Sequence, residues 1–548
     1  MKINLFGAFR VMRLMRFKKV VTICLISLVL ILLLHMLWIH ESFDYPENIK
    51  KSKNLDSNNQ IQPSKIANVT NKLSIEIKVN KSDKSYQPKR NNRRKINRKN
   101  EVIKAMKHSW KAYKDFAWGM DEVYPLTNGS STWMGAALTM IDSLDTLLIM
   151  NLTDEFNECI NWITKNLHFD LDKSHVSVFE TTIRVLGGLL SAYDISNESV
   201  LLNKSIDIGE RLIVAFQSNT GIPYSDINLK RRTANNPIWT NWASTAEAYT
   251  VILELHELSR VSQNNTFSEA AKRLVELFLK LPKKDGLVPI YIDPQTGKFE
   301  SQHITLGARG DSYYEYLLKY WIITGKSDRR LYQEYVTAVE GIKQHLIKKS
   351  LPNNLVYIAE LIPNINHKMD HLVCFVPGML ALGVMHGMNS NHLELAEQLA
   401  STCYQMYRRM KTGLSPEIVY FNQNPLEKED IIVKDYDKFN LQRPETIESF
   451  FYLYRATKNK KYQDWGWEIF KSFQKYSKVP WSGYVGISDV SNSHNVQQRT
   501  KCESFWFSET LKYFYLLFND DQTILPLNRF VFNTEGHPLP IVKGKKEK

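Results

Sequence analysis

From residue 101 onward, long segments that are apolar on more than one face alternate with segments that have a single apolar stripe. A helix that is apolar nearly all round is buried, whereas one apolar stripe is typical of a helix that covers a core. Amphipathic helices are expected, for example, over residues 268–281 and 393–409. Buried helices are predicted over residues 133–150, 180–194, 242–258, 311–324, 371–386, 445–457 and 503–518. The chain is therefore predicted to be all-α.

Acidic residues recur at a regular interval in these segments. Glu180, Glu247 and Glu315 are 67 and 68 residues apart. Glu448 follows 133 residues later, and Glu509 lies 61 residues beyond it. A repeat of about 65 residues accommodates one inner helix, one outer helix and their loops. Seven such pairs predict a closed toroid with acidic groups around one end of a central cavity. The alternative is a stack of helix pairs in which each acid merely caps a helix.

The positive charge of the chain is confined to its N-terminal part. The net charge is +14, but residues 1–100 hold 21 Lys and Arg against 6 Asp and Glu, and the remainder holds 50 against 51. A nearly neutral globular part does not support a basic face for nucleic acid. No nucleic-acid partner is expected.

An apolar run near the N-terminus carries no charged residue and is long enough to cross a bilayer as a helix. The residues before it include Arg10, Arg13, Arg16, Lys18 and Lys19, and this cationic flank favours a cytosolic N-terminus. A cleaved signal peptide is the alternative, but no small-x-small cleavage site follows the run. We therefore expect a type II membrane protein with a cytosolic tail over 1–19, a signal anchor over 20–39, a flexible lumenal stem over 40–100, a globular domain over 101–540 and a tail over 541–548.

Glycosylation sequons agree with a lumenal location. They begin at Asn68, Asn80, Asn128, Asn151, Asn197, Asn203 and Asn264.

Four of the five cysteines would meet the oxidising lumen, because only Cys24 lies in the predicted span. Cys374 and Cys403 are 29 residues apart, and a disulfide that closed a loop of this size would stabilise the fold by about 3 to 4 kcal/mol. Cys159 and Cys502 are either a second pair or buried thiols. No cysteine or histidine cluster in the sequence has zinc spacing.

Polar side chains lie between apolar flanks in residues 530–538. Thr534 and Glu535 precede Gly536 and Pro538, which mark a turn. A hydroxyl, a carboxylate and free carbonyls at a turn suit a hard cation such as Ca²⁺. The alternative is an ordinary polar turn that closes a terminal strand.

Three acidic residues have neighbours that suit a sugar-binding cleft. Glu180 lies on the same helical face as Arg184, and Glu445 begins a predicted helix. Asp311 follows residues 306–310, whose two glycines let the backbone approach a ligand closely. Carboxylates beside arginines are usually salt bridges, but aromatic residues here could stack on sugar faces. Paired carboxylates in such a cleft are the equipment of glycoside hydrolysis. The aromatic candidates are Phe179, Tyr313, Phe450, Phe505 and Trp506.

Five separated motifs resemble those of the class I α-1,2-mannosidases, glycoside hydrolase family 47. They are Phe-Glu-Thr at 179–181, the segment 307–319, His-Leu-Val-Cys-Phe at 371–375, the segment 443–449 and Asn-Thr-Glu at 533–535. The resemblance runs from about residue 102 to residue 540. It implies an (α/α)7 barrel of helical hairpins plugged by a C-terminal β-hairpin. It also implies a bound Ca²⁺ and the inverting removal of α-1,2-linked mannose from high-mannose N-glycans.

The resemblance also implies roles for individual residues. Glu180 would protonate the leaving oxygen through a water, with Asp311 as the other candidate acid. Glu445 would be the base that activates the attacking water. Thr534 would be the direct protein ligand of Ca²⁺, through its hydroxyl and carbonyl. Further positions that match the lining of the family's sugar subsites are Arg184, Arg309, His371, Arg443, Glu448, Phe505, Glu509 and Glu535.

Other features of the family bear on which member this chain resembles. Cys374 and Cys403 match a structural disulfide that the degradation-enhancing relatives are expected to lack, which favours a processing enzyme. Gly536 stands where the family more often has alanine, and Trp506 where phenylalanine is common.

Arg309 bears on the choice of substrate branch. The resemblance implies arginine here in endoplasmic-reticulum enzymes and leucine in Golgi enzymes. We therefore expect a monomeric, membrane-anchored enzyme of the endoplasmic reticulum that mainly trims the nine-mannose glycan to eight mannoses. The alternatives are a Golgi-type enzyme that trims to five, a glycan-binding degradation-targeting factor, and a non-hydrolytic toroidal scaffold.

Overall fold

The computed structural model describes residues 97–170, 175–237 and 239–541, and helices are its main elements. The predicted tail and membrane span, and nearly all of the predicted stem, lie outside the described residues. The same holds for residues 542–548. Among the helices that the structure describes, none combines the length and the apolar character needed to cross a membrane.

The helices and strands alternate along the whole described chain. The α-helices are α1 (Arg98–Phe116), α2 (Leu138–Ile149), α3 (Thr153–Asn166), α4 (Val178–Glu180), α5 (Gly187–Ser196), α6 (Ser199–Leu212), α7 (Thr245–Tyr249), α8 (Ile252–Ser262), α9 (Asn265–Lys280), α10 (Asp311–Ile323), α11 (Arg329–Gly341), α12 (Val376–Met385), α13 (His392–Arg408), α14 (Glu445–Thr457), α15 (Lys461–Tyr476) and α16 (Leu511–Leu517). Wider π-helical turns cover Thr181–Leu186, Ile342–Leu346 and Trp506–Thr510, and tighter 3-10 turns cover Ile213–Phe216, His371–Phe375 and Asp435–Asp437.

Strands are short and pair only antiparallel within the described residues. They are β1 (Glu122–Tyr124), β2 (Gly129–Ser131), β3 (Val176–Ser177), β4 (Asp226–Asn228), β5 (Thr233–Asn235), β6 (Ala243–Ser244), β7 (Tyr291–Ile292), β8 (Ile347–Lys349), β9 (Val356–Ile358), β10 (Glu360–Ile362), β11 (Asn364–Asn366), β12 (Lys368–Asp370), β13 (Ile418–Phe421), β14 (Ile431–Ile432), β15 (Phe530–Phe532) and β16 (Pro538–Pro540). Sheets β3-β4-β5 and β12-β13-β14 have three strands, and the others have two.

Neighbouring helices contact one another in a regular order. The inner helices α2, α5, α8, α10, α12, α14 and α16 each contact the next one, and α2 also contacts the π turn that leads into α16. Each inner helix is backed by an outer one, namely α3, α6, α9, α11, α13 and α15 in turn, and α1 backs α16. The N-terminal helix of the described chain therefore completes the last pair.

Burial separates the two kinds of helix as their sequences predict. In α10 every residue from Ser312 to Ile323 is buried. In the outer helix α9 the buried residues recur at spacings of three and four, so that one face packs inward and the other meets solvent. Those residues are Phe267, Ala270, Ala271, Leu274, Val275 and Phe278.

Asp121 explains why the first buried helix begins later than residue 133. One of its carboxylate oxygens accepts the N–H groups of Met134 and Gly135 at 2.6 Å, and the other accepts those of Ala136 and Leu138 at 3.0 Å. Asp121 is fully buried and holds this segment in a turn. The helix therefore starts only at Leu138.

Four other predicted helices differ in their first turns or are interrupted, and in one of them, 180–194, the π turn Thr181–Leu186 precedes α5. The segment 242–258 breaks after Tyr249, because Thr250 leaves helical geometry and donates its hydroxyl to Ser312 Oγ at 2.8 Å. Segment 371–386 opens with a 3-10 turn, and segment 503–518 reaches its α-helix through a π turn. The prediction over 445–457 matches α14 at both ends.

The predicted C-terminal β-hairpin is confirmed. Strands β15 and β16 pair with Phe532 opposite Pro538, and the turn between them holds residues 533–537. β15 contacts α10 and β16 contacts α5, which both belong to the inner set. The polar turn is thereby brought to the inner helices.

The cysteines behave as two classes. Cys374 and Cys403 form a disulfide with Cα atoms 5.9 Å apart, which links the 3-10 turn before α12 to α13. Cys159 and Cys502 are buried free thiols, so the possible second pair does not form.

Candidate active site

A cavity of about 300 Å³ lies where the starts of several inner helices meet the hairpin turn. Asp311 is the first residue of α10, and Glu445 is the first residue of α14. The N-terminus of a helix favours negative charge, so these positions suit carboxylates. The cavity is lined by Phe179, Glu180, Ile183, Arg184, Ala246, Glu247, Ala308, Arg309, Asp311, Ser312, Glu315, Leu372, Phe375, Arg443, Pro444, Glu445, Glu448, Phe505, Glu509, Thr534 and Glu535.

Glu445 is held by a histidine that sequence reasoning placed elsewhere. His371 Nδ1 lies 2.6 Å from Glu445 Oε2, and His371 Nε2 lies 2.8 Å from the Tyr407 hydroxyl. His371 is 1% exposed and does not line the cavity, so its expected place in a sugar subsite is corrected. It lies behind Glu445 and orients its carboxylate.

The same contacts control the charge of Glu445. Burial acts to raise the pKa of Glu445, but the hydrogen bond and charge of His371, together with the charge of Arg443, outweigh it and lower the pKa below its usual value. Arg443 is itself fixed, because its Nε donates to both carboxylate oxygens of Glu417 at 2.7 and 2.8 Å. Glu445 is therefore ionised at neutral pH.

Asp311 has the opposite environment. Its Oδ1 accepts the N–H of Ser312 at 2.8 Å, and it forms no ion pair with a residue of the described chain. Burial raises the pKa of Asp311 to about 7, and the charges of Glu315, Glu247 and Glu445 act in the same direction. Near neutral pH a substantial fraction of Asp311 carries a proton.

Glu180 is paired with a cation. Arg184 Nε donates to Glu180 Oε2 at 2.5 Å, and Arg184 Nη1 lies 3.2 Å from Glu535 Oε1. The guanidinium also lies 5.7 Å from the centre of the Phe505 ring. Arg184 thus ties the start of one inner helix to the hairpin turn.

Carboxyl groups are crowded around the hairpin turn. Burial raises the pKa of Glu509 well above its usual value, and the charges of Glu535 and Glu448 add to this. Burial also raises the pKa of Glu448 to about 8, against the opposing charge of Lys319. The turn is therefore a place where a positive ion would relieve repulsion.

The donors around this turn are oxygens. Thr534 lines the cavity with its hydroxyl-bearing side chain in the turn. In the part of the chain that the structure describes, no group of three or more His, Cys, Asp and Glu is arranged to hold a metal ion. A hard cation here would be held by threonine oxygens and by water or ligand hydroxyls, and this donor set fits Ca²⁺.

Arg309 lies at the edge of the cavity in a strained backbone conformation. Its φ is +74°, which side chains rarely adopt. The guanidinium lies 5.7 Å from the ring centre of Trp239 and 5.4 Å from that of Tyr291. Its Nη1 lies 3.9 Å from Glu247 Oε1. Aromatic faces on one side and a carboxylate on the other fix the direction of this side chain.

The two glycines beside Arg309 serve the packing of their own loop. A Cβ on Gly307 would lie 2.3 Å from Asp370 Oδ2, and a Cβ on Gly310 would lie 2.2 Å from the Thr305 carbonyl oxygen. The two glycines therefore allow their loop to pack closely against Asp370 and Thr305.

Several residues that line the cavity were not among the site residues predicted from the sequence. Glu247 and Glu315 belong to the regular series of acids, and that spacing could have identified them. Leu372 and Phe375 belong to the motif at 371–375, and that motif could have identified them. Of the aromatic candidates, Phe179 and Phe505 line the cavity. Tyr313, Phe450 and Trp506 are fully buried in the core and do not line it.

Comparison with known proteins gives the family. Residues 105–541 match Glycosyl hydrolase family 47. The endoplasmic reticulum mannosyl-oligosaccharide 1,2-alpha-mannosidase of Rattus norvegicus is 51% identical over 448 residues, covering 81% of this chain and 68% of the relative. The Homo sapiens protein of the same name is 50% identical, covering 81% and 64%. The chain thus spans about two thirds of the length of these relatives.

A solved structure agrees with the sequence match. The alpha-1,2-mannosidase from Trichoderma reesei superposes with a TM-score of 0.76 at 26% identity, covering 81% of this chain and 99% of that one. The family match and the identities near one half show that this chain belongs to glycosyl hydrolase family 47, a family of glycoside hydrolases.

Proposed function

We propose that this protein hydrolyses terminal α-1,2-linked mannose from high-mannose N-glycans in the endoplasmic reticulum, with inversion at the anomeric carbon. One observation carries the proposal. Asp311 and Glu445 line one cavity, and their environments move their pKa values in opposite directions. A carboxylic acid and a carboxylate in one site are what acid and base catalysis at a glycosidic bond requires.

The protein environment favours a distinct role for each carboxyl group. Glu445 is ionised and oriented by His371, so it accepts the proton of the attacking water. Asp311 retains a proton near neutral pH and donates it to the leaving oxygen. Glu180 Oε2 is instead engaged in an ion pair with Arg184. We therefore assign the donor role to Asp311 and an electrostatic role to Glu180.

Calcium is part of the proposal. Thr534 would hold the ion through its hydroxyl and carbonyl oxygens, and the crowded carboxyl groups of Glu448, Glu509 and Glu535 would hold its waters. When bound, Ca²⁺ would supply orientation and polarisation of sugar hydroxyls and of the attacking water. The role of this chain is to present the oxygens in a cavity whose carboxyl groups outnumber its arginines.

The architecture and the cellular location are inferred on separate grounds. The order of helix contacts supports a closed (α/α)7 barrel, with the β-hairpin as its plug. The mammalian relatives support residence in the endoplasmic reticulum. The type II anchor over 20–39 and the monomeric state remain predictions from the sequence.

Replacing either catalytic carboxyl group should remove most turnover. Glu445→Gln and Asp311→Asn should each lower kcat for release of free mannose by about 100- to 10,000-fold, because they remove a proton acceptor and a proton donor. Glu429→Gln is the control, because its side chain is 75% exposed on the surface. A variant at either position that kept more than about half of the parent rate would contradict its assigned role.

The pH profile separates the donor candidates further. In the parent, kcat/KM should fall as pH rises through about 7, because Asp311 then loses its proton. That alkaline limb should vanish from the residual activity of Asp311→Asn. If it persisted there, the proton donor would be another group.

Removal of calcium should abolish activity. Chelation should stop mannose release and lower the thermal unfolding temperature, because an ion bound only by the folded state stabilises it. Added Ca²⁺ should restore both quantities. Full activity in chelator, with the protein shown by elemental analysis to be free of calcium, would contradict the assignment of Thr534.

Arg309→Leu should relax branch choice. A guanidinium has five fixed donors, and at the edge of the cavity it can match the hydroxyl groups of one branch better than those of another. The parent should remove mainly one mannose from the nine-mannose glycan and then slow sharply, whereas the variant should continue. Chromatography of the released glycans measures this, and Arg309→Lys, which keeps the charge but loses the planar fork, is the control for charge.

A parent that trimmed nine mannoses to five as quickly as it made the first cut would contradict this specificity. It would favour the Golgi-type alternative. Because leucine at φ near +74° is strained, the unfolding temperature of Arg309→Leu is measured alongside, so that lost folding is not read as altered specificity.

A further inference from the structure

The backbone of the hairpin turn is held by a buried hydrogen-bonded chain that takes no part in lining the cavity. The N–H of Thr534 donates to the hydroxyl of Tyr316 at 3.2 Å. The Tyr316 hydroxyl in turn donates to Glu254 Oε1 at 2.8 Å. Tyr316 lies on α10 and Glu254 on α8, so two inner helices act together on one backbone group of the turn.

Asn533 connects the same carboxylate to the rest of the turn. Its Nδ2 donates to Glu254 Oε1 at 2.8 Å and to the carbonyl oxygen of Ile183 at 3.0 Å. Its Oδ1 accepts the N–H of Glu535 at 2.9 Å and that of His537 at 2.8 Å. The residues on both sides of Thr534 are therefore fixed, and Glu254 Oε1 is the acceptor on which both paths converge.

The burial of Glu254 lowers the stability of the folded protein. It is fully buried, and its Oε2 has no hydrogen-bond partner among the described residues. An unsatisfied buried carboxyl oxygen destabilises a folded protein, and an apolar side chain would pack there without that cost. A role in stability alone does not account for a glutamate at this position.

We propose that Glu254 and Tyr316 are positioning residues that fix the backbone of the hairpin turn so that Thr534 presents its oxygens to a calcium ion, and that they thereby set calcium affinity. The inference rests on the calcium site of the proposed function and deepens it. An ion held by few direct protein ligands gains from a ligand that is already in place, because the turn then loses no freedom on binding.

Tyr316→Phe is the direct test. It removes only the hydroxyl that accepts the Thr534 N–H and leaves the ring that fills the core. We expect the calcium Kd of the full-length protein to rise about fivefold or more, since a hydrogen bond of this kind contributes about that factor to an equilibrium. The Kd is measured by titrating chelator-treated protein with Ca²⁺ and following intrinsic fluorescence.

Tyr314→Phe is the matched control. Tyr314 lies on the same helix, is buried to the same extent, and its hydroxyl also accepts a backbone N–H, that of Val288 at 3.1 Å. That bond is remote from the hairpin turn. Tyr316→Phe should lose more thermal stability in chelator, because its hydroxyl makes two hydrogen bonds, whereas the calcium Kd of Tyr314→Phe should stay within about twofold of the parent.

Glu254→Gln provides a second variant. It keeps the shape of the side chain but replaces the carboxyl group, on whose Oε1 both hydrogen bonds converge, with an amide whose NH₂ group cannot accept a hydrogen bond. We expect a raised calcium Kd here as well. In both variants kcat should return to near the parent value at saturating Ca²⁺, because the reacting groups are untouched.

The outcomes separate this inference from the proposed function. If the parent binds Ca²⁺ and both variants bind it as tightly as Tyr314→Phe does, Glu254 and Tyr316 do not position the turn and the inference is overturned. If the parent binds no Ca²⁺ at all, the calcium part of the proposed function fails first, and the inference fails with it. A raised Kd in both variants, with kcat recovered at high Ca²⁺, supports it.

Discussion

Repulsion among closely spaced carboxyl groups, only partly offset by cations, is the constraint on which this site depends. Arg184 is shared by Glu180 and Glu535, and Lys319 is shared by Glu315 and Glu448. Each of these two cations thus has its partners already, and Asp311 and Glu509 form no ion pair with a described residue. Burial and this imbalance together favour a protonated Asp311 beside an ionised Glu445, and the imbalance supports the proposed cation.

The fold makes this crowding tolerable. Several of the acids lie in the first turn of an inner helix, where the aligned peptide dipoles favour negative charge. The inner helices are buried on nearly every face, and their outer partners cover them, so the cavity walls are rigid. The C-terminal hairpin then supplies a polar turn from a different part of the chain. The helix N-termini, the cavity walls and the hairpin turn come from separate parts of the chain and meet only in the folded state.

Sequence patterns predicted the helices well but not their first turns. Burial on all faces leaves a clear apolar signal, and for this reason 445–457 was located to the residue. The start of α2 was missed because it is set by Asp121, which accepts N–H groups from residues 13 to 17 positions further on. A cap of this kind depends on tertiary structure and leaves no periodic signal. The π and 3-10 turns were missed for the same reason.

The sequence predicts which residues form the site better than it predicts the role of each residue. Every candidate but one among the catalytic, sugar-contacting and metal residues lines the cavity, since family motifs mark positions. The exception, His371, supports Glu445 from behind, and only geometry could show this. The rotation of a helix decides whether an aromatic residue faces the cavity or the core, and so Tyr313 and Phe450 were misjudged. Glu254 lies outside every motif and was not identified at all.

The central claim is that Glu445 activates water while a separate acid protonates the leaving group. Water activated in this way attacks the face opposite the departing oxygen, so the configuration at the anomeric carbon inverts. Proton NMR of the first mannose released, recorded before mutarotation, measures this directly. The β-anomer is the expected initial product. An initial α-anomer would contradict it, because retention requires a carboxylate that acts as a nucleophile.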